Sequence, residues 1–333
     1  MAESDGHRVS LEAIKEPVDH LYESLDDYFR RYLRTDVGVI DRIFEHLLDS
    51  GGKRFRPLLA ILISSFSDTA SEEDIFRLAV SVEFIHTATL LHDDIVDQSD
   101  VRRGNRVAYQ LWGAEPSVLS GDYLYSRAFS LLSEIGHISI LREISTATTA
   151  MARGEVLQLL RSFSPATSTE EYFQVIEGKT ASLISATCAS AGILAGFGDE
   201  AVRSLRRFGT HLGFSFQIID DLLDYTAELG DLGKVIGKDF LEGKVTLPAI
   251  LLMDTLKGEA RKMVSDVFLS ENPDPDDFHR ILSMMEDRDI INRTQGMAED
   301  YSRKAVEELR KLPDGAILDS LAGLVGYVTR RRT

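Results

Sequence analysis

The chain has 333 residues, 44% apolar and 27% charged, the profile of a soluble globular protein large enough to fold without disulfide staples. A net charge of −17, from 54 acidic against 37 basic residues, argues against general nucleic-acid affinity but not against anionic substrates, because steering depends on local charge. The single cysteine, Cys188, rules out a disulfide framework and a multi-cysteine metal site; in the small-residue run 186–190 it reads as an inert buried thiol.

In chain order, residues 1–19 mix acids and bases without an apolar stretch, so neither a signal peptide nor a transit peptide is expected. Leu11 to Tyr32 reads as an amphipathic helix interrupted near Pro17, and Val37 to Leu48 as another, ended by Ser50-Gly51-Gly52. Pro57 suits the first turn of a helix reaching Phe66. Ser71-Glu-Glu-Asp opens a long helix that continues from Ile75 to Asp97. A loop holds Arg102-Arg103-Gly104-Asn105. Further helices are expected near 107–112, 117–135, 139–161, 169–197, 199–225, 244–256, 259–270, 276–286, 289–311 and 314–329. Thr180 to Gly198 carries no charge, but its serines, threonines and glycines read as a buried core helix rather than a membrane span. The periodicity shows no convincing strand hairpin. With no linker or composition break, the expected fold class is all-α: one domain over 1–333, with 1–10 and 330–333 as tails. Glycines between Gly230 and Gly243 suggest a loop that is mobile or shaped for a ligand.

Two copies of one acidic pattern stand out, Asp93-Asp94-Ile-Val-Asp97 and Asp220-Asp221-Leu-Leu-Asp224. On a helix, i and i+4 share a face and i+1 lies about 100° around from i, so each copy gathers three carboxylates within apolar sequence. Such clusters repel internally and call for a cation. Mg²⁺ is the natural candidate, since it prefers a few carboxylates plus oxygens of a phosphorylated substrate. Three Mg²⁺ would balance the six aspartates.

Basic segments accompany these motifs. Gly51-Gly52-Lys53-Arg54-Phe55-Arg56-Pro57 places cations at a helix start, a ready anion site or an ordinary basic surface turn. Arg102 and Arg103 suit phosphate oxygens, or a surface salt-bridge loop. His86 lies two turns before Asp93 on the same face, where a satisfied core histidine is the ordinary alternative. Lys179-Thr180, Lys234, Lys238-Asp239 and Lys244 complete the set; the loop lysines could close over a diphosphate and exclude water, or be solvated. Arg330-Arg331-Arg332 reads as a solvated tail.

Taken in this order, the motifs resemble the trans-polyprenyl diphosphate synthases. The resemblance is carried by Gly51–Pro57, Glu83-Phe-Ile-His86, Leu91–Asp97, Arg102–Gly104, Gly154-Glu-Val-Leu-Gln158, Lys179-Thr180, Phe216–Asp224 and Gly233–Asp239, and spans nearly the whole chain. It implies long, mostly antiparallel helices around a central cavity, a homodimer, and a cytoplasmic enzyme without a transmembrane segment that touches membranes peripherally to release product. It implies Mg²⁺, three per site with Mn²⁺ as a substitute, bound by Asp93, Asp97 and Asp220, with Asp94, Asp221 and Asp224 supporting that shell. Arg102, Lys179, Lys234 and Lys244 would hold an allylic diphosphate such as farnesyl or geranylgeranyl diphosphate. Lys53, Arg56, His86 and Arg103 would hold isopentenyl diphosphate. Thr180 and Gln217 would line the reacting centre.

Short-product relatives block the tail path with a bulky aromatic four or five residues before the first aspartate. Here those positions hold Ala88 and Thr89, which leaves room for a longer, octaprenyl-like tail. The sequence does not name the floor of such a tunnel beyond the 117–135 helix, on which Phe129 and Leu132 are candidates. Those relatives also carry Gly-Gln-x-x-Asp where this chain has Gly154-Glu155-Val-Leu-Gln158, so Gln158 is not counted among the metal ligands. A short-chain synthase, a terpene cyclase or a non-catalytic partner subunit are the competing readings.

Overall fold

The computed structural model describes residues 10–102, 104–226, 237–270 and 273–330. Arg103, Lys234, Arg331 and Arg332, which the sequence singles out, lie outside them, as do most of the two expected tails. α1 (Leu11–Lys15) is capped by the Ser10 hydroxyl, which accepts from the Ala13 N–H. Pro17 sits in a single 3₁₀ turn, Glu16–Val18, before α2 (Asp19–Leu33), so the interruption expected there is present. α3 (Gly38–Asp49) and α4 (Phe55–Ser64) follow, and Pro57 lies in the first turn of α4, where its missing N–H costs nothing. α5 (Glu72–Val96) starts where Ser71 accepts from the Asp74 N–H, with three acids in its first turn complementing the helix dipole.

The loop after α5 differs from expectation. Val101–Arg102 (β1) and Asn105–Arg106 (β2) pair antiparallel around Gly104, whose φ of +80° suits glycine. Two-residue strands carry too little alternation to register as periodicity. α6 (Ala108–Trp112), α7 (Ala114–Ile135) and α8 (Ile138–Arg161) then run in sequence.

The helix expected over 169–197 is broken in register. α9 (Thr169–Ile176) opens with a full capping box between Ser168 and Glu171. A π-helical stretch, Glu177–Ala181, follows, and α10 (Ser182–Leu194) completes the run. α10 is buried through most of its length, and no helix among the described residues is long and apolar enough to cross a membrane. α11 (Asp199–Thr226) presses against it and against the π-helical stretch. A Cβ at Gly209 would fall 2.6 Å from Ser185 Cα, and one at Gly213 2.5 Å from Ala181 Cα.

After 227–236, which are not described, a short α12 (Lys238–Leu241) precedes α13 (Leu247–Thr255). The helix expected from 244 thus starts three residues later, at Leu247 with Pro248 in its first turn. α14 (Gly258–Phe268), α15 (Pro275–Asp287), α16 (Ile290–Leu309) and α17 (Ala316–Arg330) finish the chain.

α5 packs chiefly on α7 and α4, and α11 on α16 and α10. α5 is apolar on nearly all sides; Phe76, Phe84 and Ile85 are fully buried, each contributing about 1.5–3 kcal/mol by removal from water. A second apolar cluster gathers α13–α16. α11 belongs to both, through Leu205, Phe208 and Leu212 in the first and Ile218, Ile219 and Tyr225 in the second. The two acidic patterns therefore stand at the ends of two helices rooted in the core.

Candidate active site

The first acidic pattern closes α5, and its three carboxylates face different surroundings. Asp94 is 2% exposed. One of its oxygens accepts both Nε (2.9 Å) and Nη2 (2.8 Å) of Arg102, which stands on β1. The hairpin that carries Arg102 is fastened to the end of α3: His46 Nε2 lies 2.8 Å from the Arg106 carbonyl, and the Asn105 amide donates to Ser50 Oγ at 3.3 Å. Asp93 and Asp97 are turned elsewhere, with side chains 18% and 19% exposed. Lysines approach both.

The second pattern, at the end of α11, divides its labour in the same way. Asp221 is 3% exposed and accepts from the Tyr172 hydroxyl (2.6 Å) and the Gln217 amide (2.8 Å). The Gln217 carbonyl in turn accepts from the Thr180 hydroxyl at 2.7 Å, so the two residues expected at the reacting centre are hydrogen-bonded to each other. Asp224 accepts the backbone N–H groups of Lys238 (3.1 Å) and Asp239 (3.0 Å), which fixes the start of α12. Asp220 remains half-buried beside them.

Residues 237–244 bring the two patterns together. Lys238 Nζ donates to Ser99 Oγ at 2.9 Å, just beyond α5. Lys244 Nζ lies 3.1 Å from Asp97 Oδ2 and 2.6 Å from Glu242 Oε2. Lys179, in the π-helical stretch, lies 2.9 and 3.0 Å from the two oxygens of Glu155 and 3.9 Å from Asp93 Oδ2.

Crowding of carboxylates out of water shows in their proton affinity. Burial raises Asp93 to about 6; Lys179 opposes the shift, and Glu155 and Asp97 add to it. Burial, with Asp239 alongside, raises Asp224 to about 7 against the pull of its backbone donors. Asp221 is pushed well above the ordinary carboxylate range by burial and by Asp239. Burial works to lower Lys244, but Asp239, Glu242 and Asp97 outweigh it and keep the ammonium charged.

The cations of the basic run before α4 make separate contacts. Arg54 takes a left-handed conformation (φ 42°) at the head of α4 and reaches Glu83 Oε1 at 3.4 Å and the Leu48 carbonyl at 3.3 Å. A cavity of about 40 Å³ lies here, lined in part by Arg54, Glu83, His86, Asp94, Arg102 and Arg106. His86 and Arg102 thus share one cavity, and Arg54, rather than Lys53 or Arg56, is the member of the basic run that lines it. Lys53 sits instead with its ammonium 5.2 Å from the centre of the Tyr327 ring on α17.

Ala88 is fully buried on α5, and the Thr89 hydroxyl donates to the His86 carbonyl at 2.7 Å. α7 runs alongside. Leu132 is fully buried there and Phe129 packs against the same core. Tyr125, on the same helix, is raised to about 12 by burial, with the charges of Asp93 and Glu155 adding to the shift.

Among the described residues no three acidic, histidine or cysteine side chains already surround a common point as a finished metal cage. The donor set nevertheless suits Mg²⁺. Asp93 and Asp97 offer partly exposed carboxylate oxygens one turn apart, and Mg²⁺ completes its shell with water and substrate oxygens.

The sequence motifs include Glu155, Asp239, Arg54 and Glu83 but assign them no role, and they leave out Tyr172 and Glu242 altogether. Tyr172 precedes Lys179 by two helical turns, but a tyrosine on an apolar face reads first as core. Glu155 was visible beside Gly154, and its partner Lys179 was not.

The architecture is that of the isoprenoid synthases. The crystal structure of a polyprenyl synthase from Caulobacter crescentus CB15, complexed with calcium and isoprenyl diphosphate, superposes with a TM-score of 0.92 at 34% identity, over 97% of this chain and 98% of that one. The octaprenyl diphosphate synthase of Escherichia coli (strain K12) is 36% identical over 323 residues, 97% of this chain and 99% of that protein. The all-trans-nonaprenyl-diphosphate synthase (geranyl-diphosphate specific) of Rhodobacter capsulatus is 35% identical over 308 residues, 92% of this chain and 94% of that protein. The family profile for polyprenyl synthetase matches residues 37–285. The chain belongs to the polyprenyl synthetase family, as its motifs implied, and is a prenyltransferase.

Proposed function

We propose that the chain adds isopentenyl diphosphate repeatedly to an allylic diphosphate and releases a long-chain all-trans polyprenyl diphosphate, octaprenyl-like in length. The observation that carries this reading is the pair of lysine bridges at the first acidic pattern, Lys179 beside Asp93 and Lys244 on Asp97, facing the second pattern through residues 237–244. Cations and carboxylates so interleaved suit a ligand that brings both negative oxygens and divalent metal.

Mg²⁺ held by Asp93, Asp97 and Asp220 together with diphosphate oxygens would supply the charge neutralisation that lets the leaving group depart. Lys179, Lys244, Lys234 and Arg102 hold the allylic diphosphate and take up charge as its C1–O bond breaks. Lys53, Arg56, His86 and Arg103 hold isopentenyl diphosphate with its alkene toward C1, so that the new bond forms from C4. The proton lost from the condensed intermediate goes to the departing diphosphate. Asp221, through Gln217, fixes the Thr180 hydroxyl near the reacting carbon. Residues 237–244, which bridge the two acidic patterns, would help exclude water, which would quench the cation.

Long product length is supported by the small buried Ala88 one turn before the aspartates, and by relatives named for octaprenyl and nonaprenyl products. The reading extends to a single domain working as a cytoplasmic homodimer. Exposed apolar side chains on α7 (Val118, Leu119) and α8 (Val156, Leu159, Leu160) support an interface between copies. Chromatography of products from farnesyl and isopentenyl diphosphates with Mg²⁺ tests the reading. A ladder ending near eight isoprene units is expected. Products no longer than geranylgeranyl diphosphate, or conversion of the allylic substrate without isopentenyl diphosphate, would overturn it.

A further inference from the structure

Lys179 and Lys244 come from separate segments, yet they are held alike. Each ammonium sits between an aspartate of the first acidic pattern and a glutamate outside both patterns, and in each case the glutamate is nearer. Lys179 lies 2.9 Å from Glu155 and 3.9 Å from Asp93. Lys244 lies 2.6 Å from Glu242 and 3.1 Å from Asp97.

The backbone builds the first arrangement with little latitude. A Cβ at Gly154 would fall 2.6 Å from Lys179 N, and one at Gly178 2.7 Å from the Ala150 carbonyl oxygen. Two bare glycines therefore let the π-helical stretch touch α8 and set Glu155, next to Gly154, opposite Lys179. The second arrangement is set by residues 237–244, where the Lys244 N–H donates to the Asp239 carbonyl at 2.8 Å and Asp224 holds the start of α12.

An ammonium resting fully on a carboxylate competes with a divalent cation for the same oxygens. A neighbouring carboxylate that draws the ammonium toward itself weakens that competition. Lysine, a compact charge with three donors on a flexible stem, can then turn from the glutamate to an arriving anion without a backbone change. We propose that Glu155 and Glu242 are positioning residues: docking carboxylates that hold Lys179 off Asp93 and share Lys244 with Asp97, so that neither ammonium rests fully on an aspartate and both aspartates stay open to metal. The inference rests on the metal–diphosphate reading above.

The test follows thermal unfolding of the full chain as Mg²⁺ is titrated at saturating inorganic diphosphate, with no turnover involved. Wild type, Glu155→Gln, Glu242→Gln and the double variant Glu155→Gln/Lys179→Met are compared, and their metal-free melting temperatures report folding separately. Each single variant is expected to need about three- to fivefold more Mg²⁺ for half of the full stabilisation, the scale of one partly exposed ion pair. Removing the competing ammonium in the double variant should return the requirement toward the wild-type value. An unchanged Mg²⁺ requirement in the single variants overturns the proposal, as does a double variant no better than Glu155→Gln. Complete loss of the Mg²⁺ effect in a single variant also overturns it, by making the glutamate a metal ligand. A wild type that gains no stability from Mg²⁺ with diphosphate would sink the metal reading itself, a distinct result.

Discussion

Lys244 Nζ lies 3.1 Å from Asp97 Oδ2, joining residues 147 positions apart and tying the end of α5 to the segment that follows α11. The bond joins two groups that the proposed chemistry assigns to different partners, the metal and the diphosphate. Replacing Lys244 by Gln should lower kcat by about 10²-fold, the usual cost of one donor that stabilises departing charge. Steady-state kinetics with farnesyl diphosphate measures this; wild-type turnover would place the lysine outside the reaction.

Asp93 carries a cost in the metal-free protein. Its folded-state affinity for a proton is raised, to about 6, so the folded chain binds that proton more tightly than the unfolded chain. Stability from this group is fully present below the ordinary carboxylate pKa and is lost as pH rises through about 6. Asp93→Asn should therefore stabilise the metal-free protein at pH 7 by about 1–3 kcal/mol, with the gain vanishing near pH 4. The same variant should lose about 10²–10³-fold or more in turnover. Denaturation curves at both pH values, with EDTA, check the first half, and activity with Mg²⁺ the second.

Tyr172 is predicted to matter through Asp221. Removing its hydroxyl leaves that buried carboxylate with one fewer donor, which should cost about 1–3 kcal/mol of stability. It also loosens the link from Asp221 through Gln217 to Thr180. Tyr172→Phe should lower kcat while leaving KM for isopentenyl diphosphate near its original value. A KM that rises as kcat falls would place the tyrosine in substrate binding instead, and the folded fraction, measured by the melting curve, separates either result from a folding defect.

Ala88 is fully buried one turn before Asp93. Ala88→Phe should shorten the product, at a packing cost of about 1–3 kcal/mol. Reverse-phase chromatography of the dephosphorylated products shows the outcome; an unchanged length distribution would mean the tail follows another route.

Much of the fold is legible from apolar spacing and end signals. The break at Pro17, the Ser71 cap and the long buried α5 each follow from local rules. What escapes is structure that leaves the pattern intact. A π-helical insertion at Glu177–Ala181 shifts the phase of one turn without changing the composition of the run, and a ladder of two residues per strand is too brief to alternate. The acidic patterns were visible because their spacing repeats. The partners that orient them were hidden for a physical reason: Tyr172, Glu155 and Glu242 act across the fold, and no local rule ties a residue to a contact made from another helix.

The fastening of the β1–β2 hairpin to α3 has a wider consequence. Arg102 is steered by His46 and Ser50, two residues that lie two helices earlier in the chain and outside both acidic patterns. Substitutions on the outer end of α3 should thus register as altered handling of the diphosphate, although that helix bears none of the acidic motif. Maps of functional sensitivity for this enzyme ought to show a second island there, far upstream of the aspartates it serves.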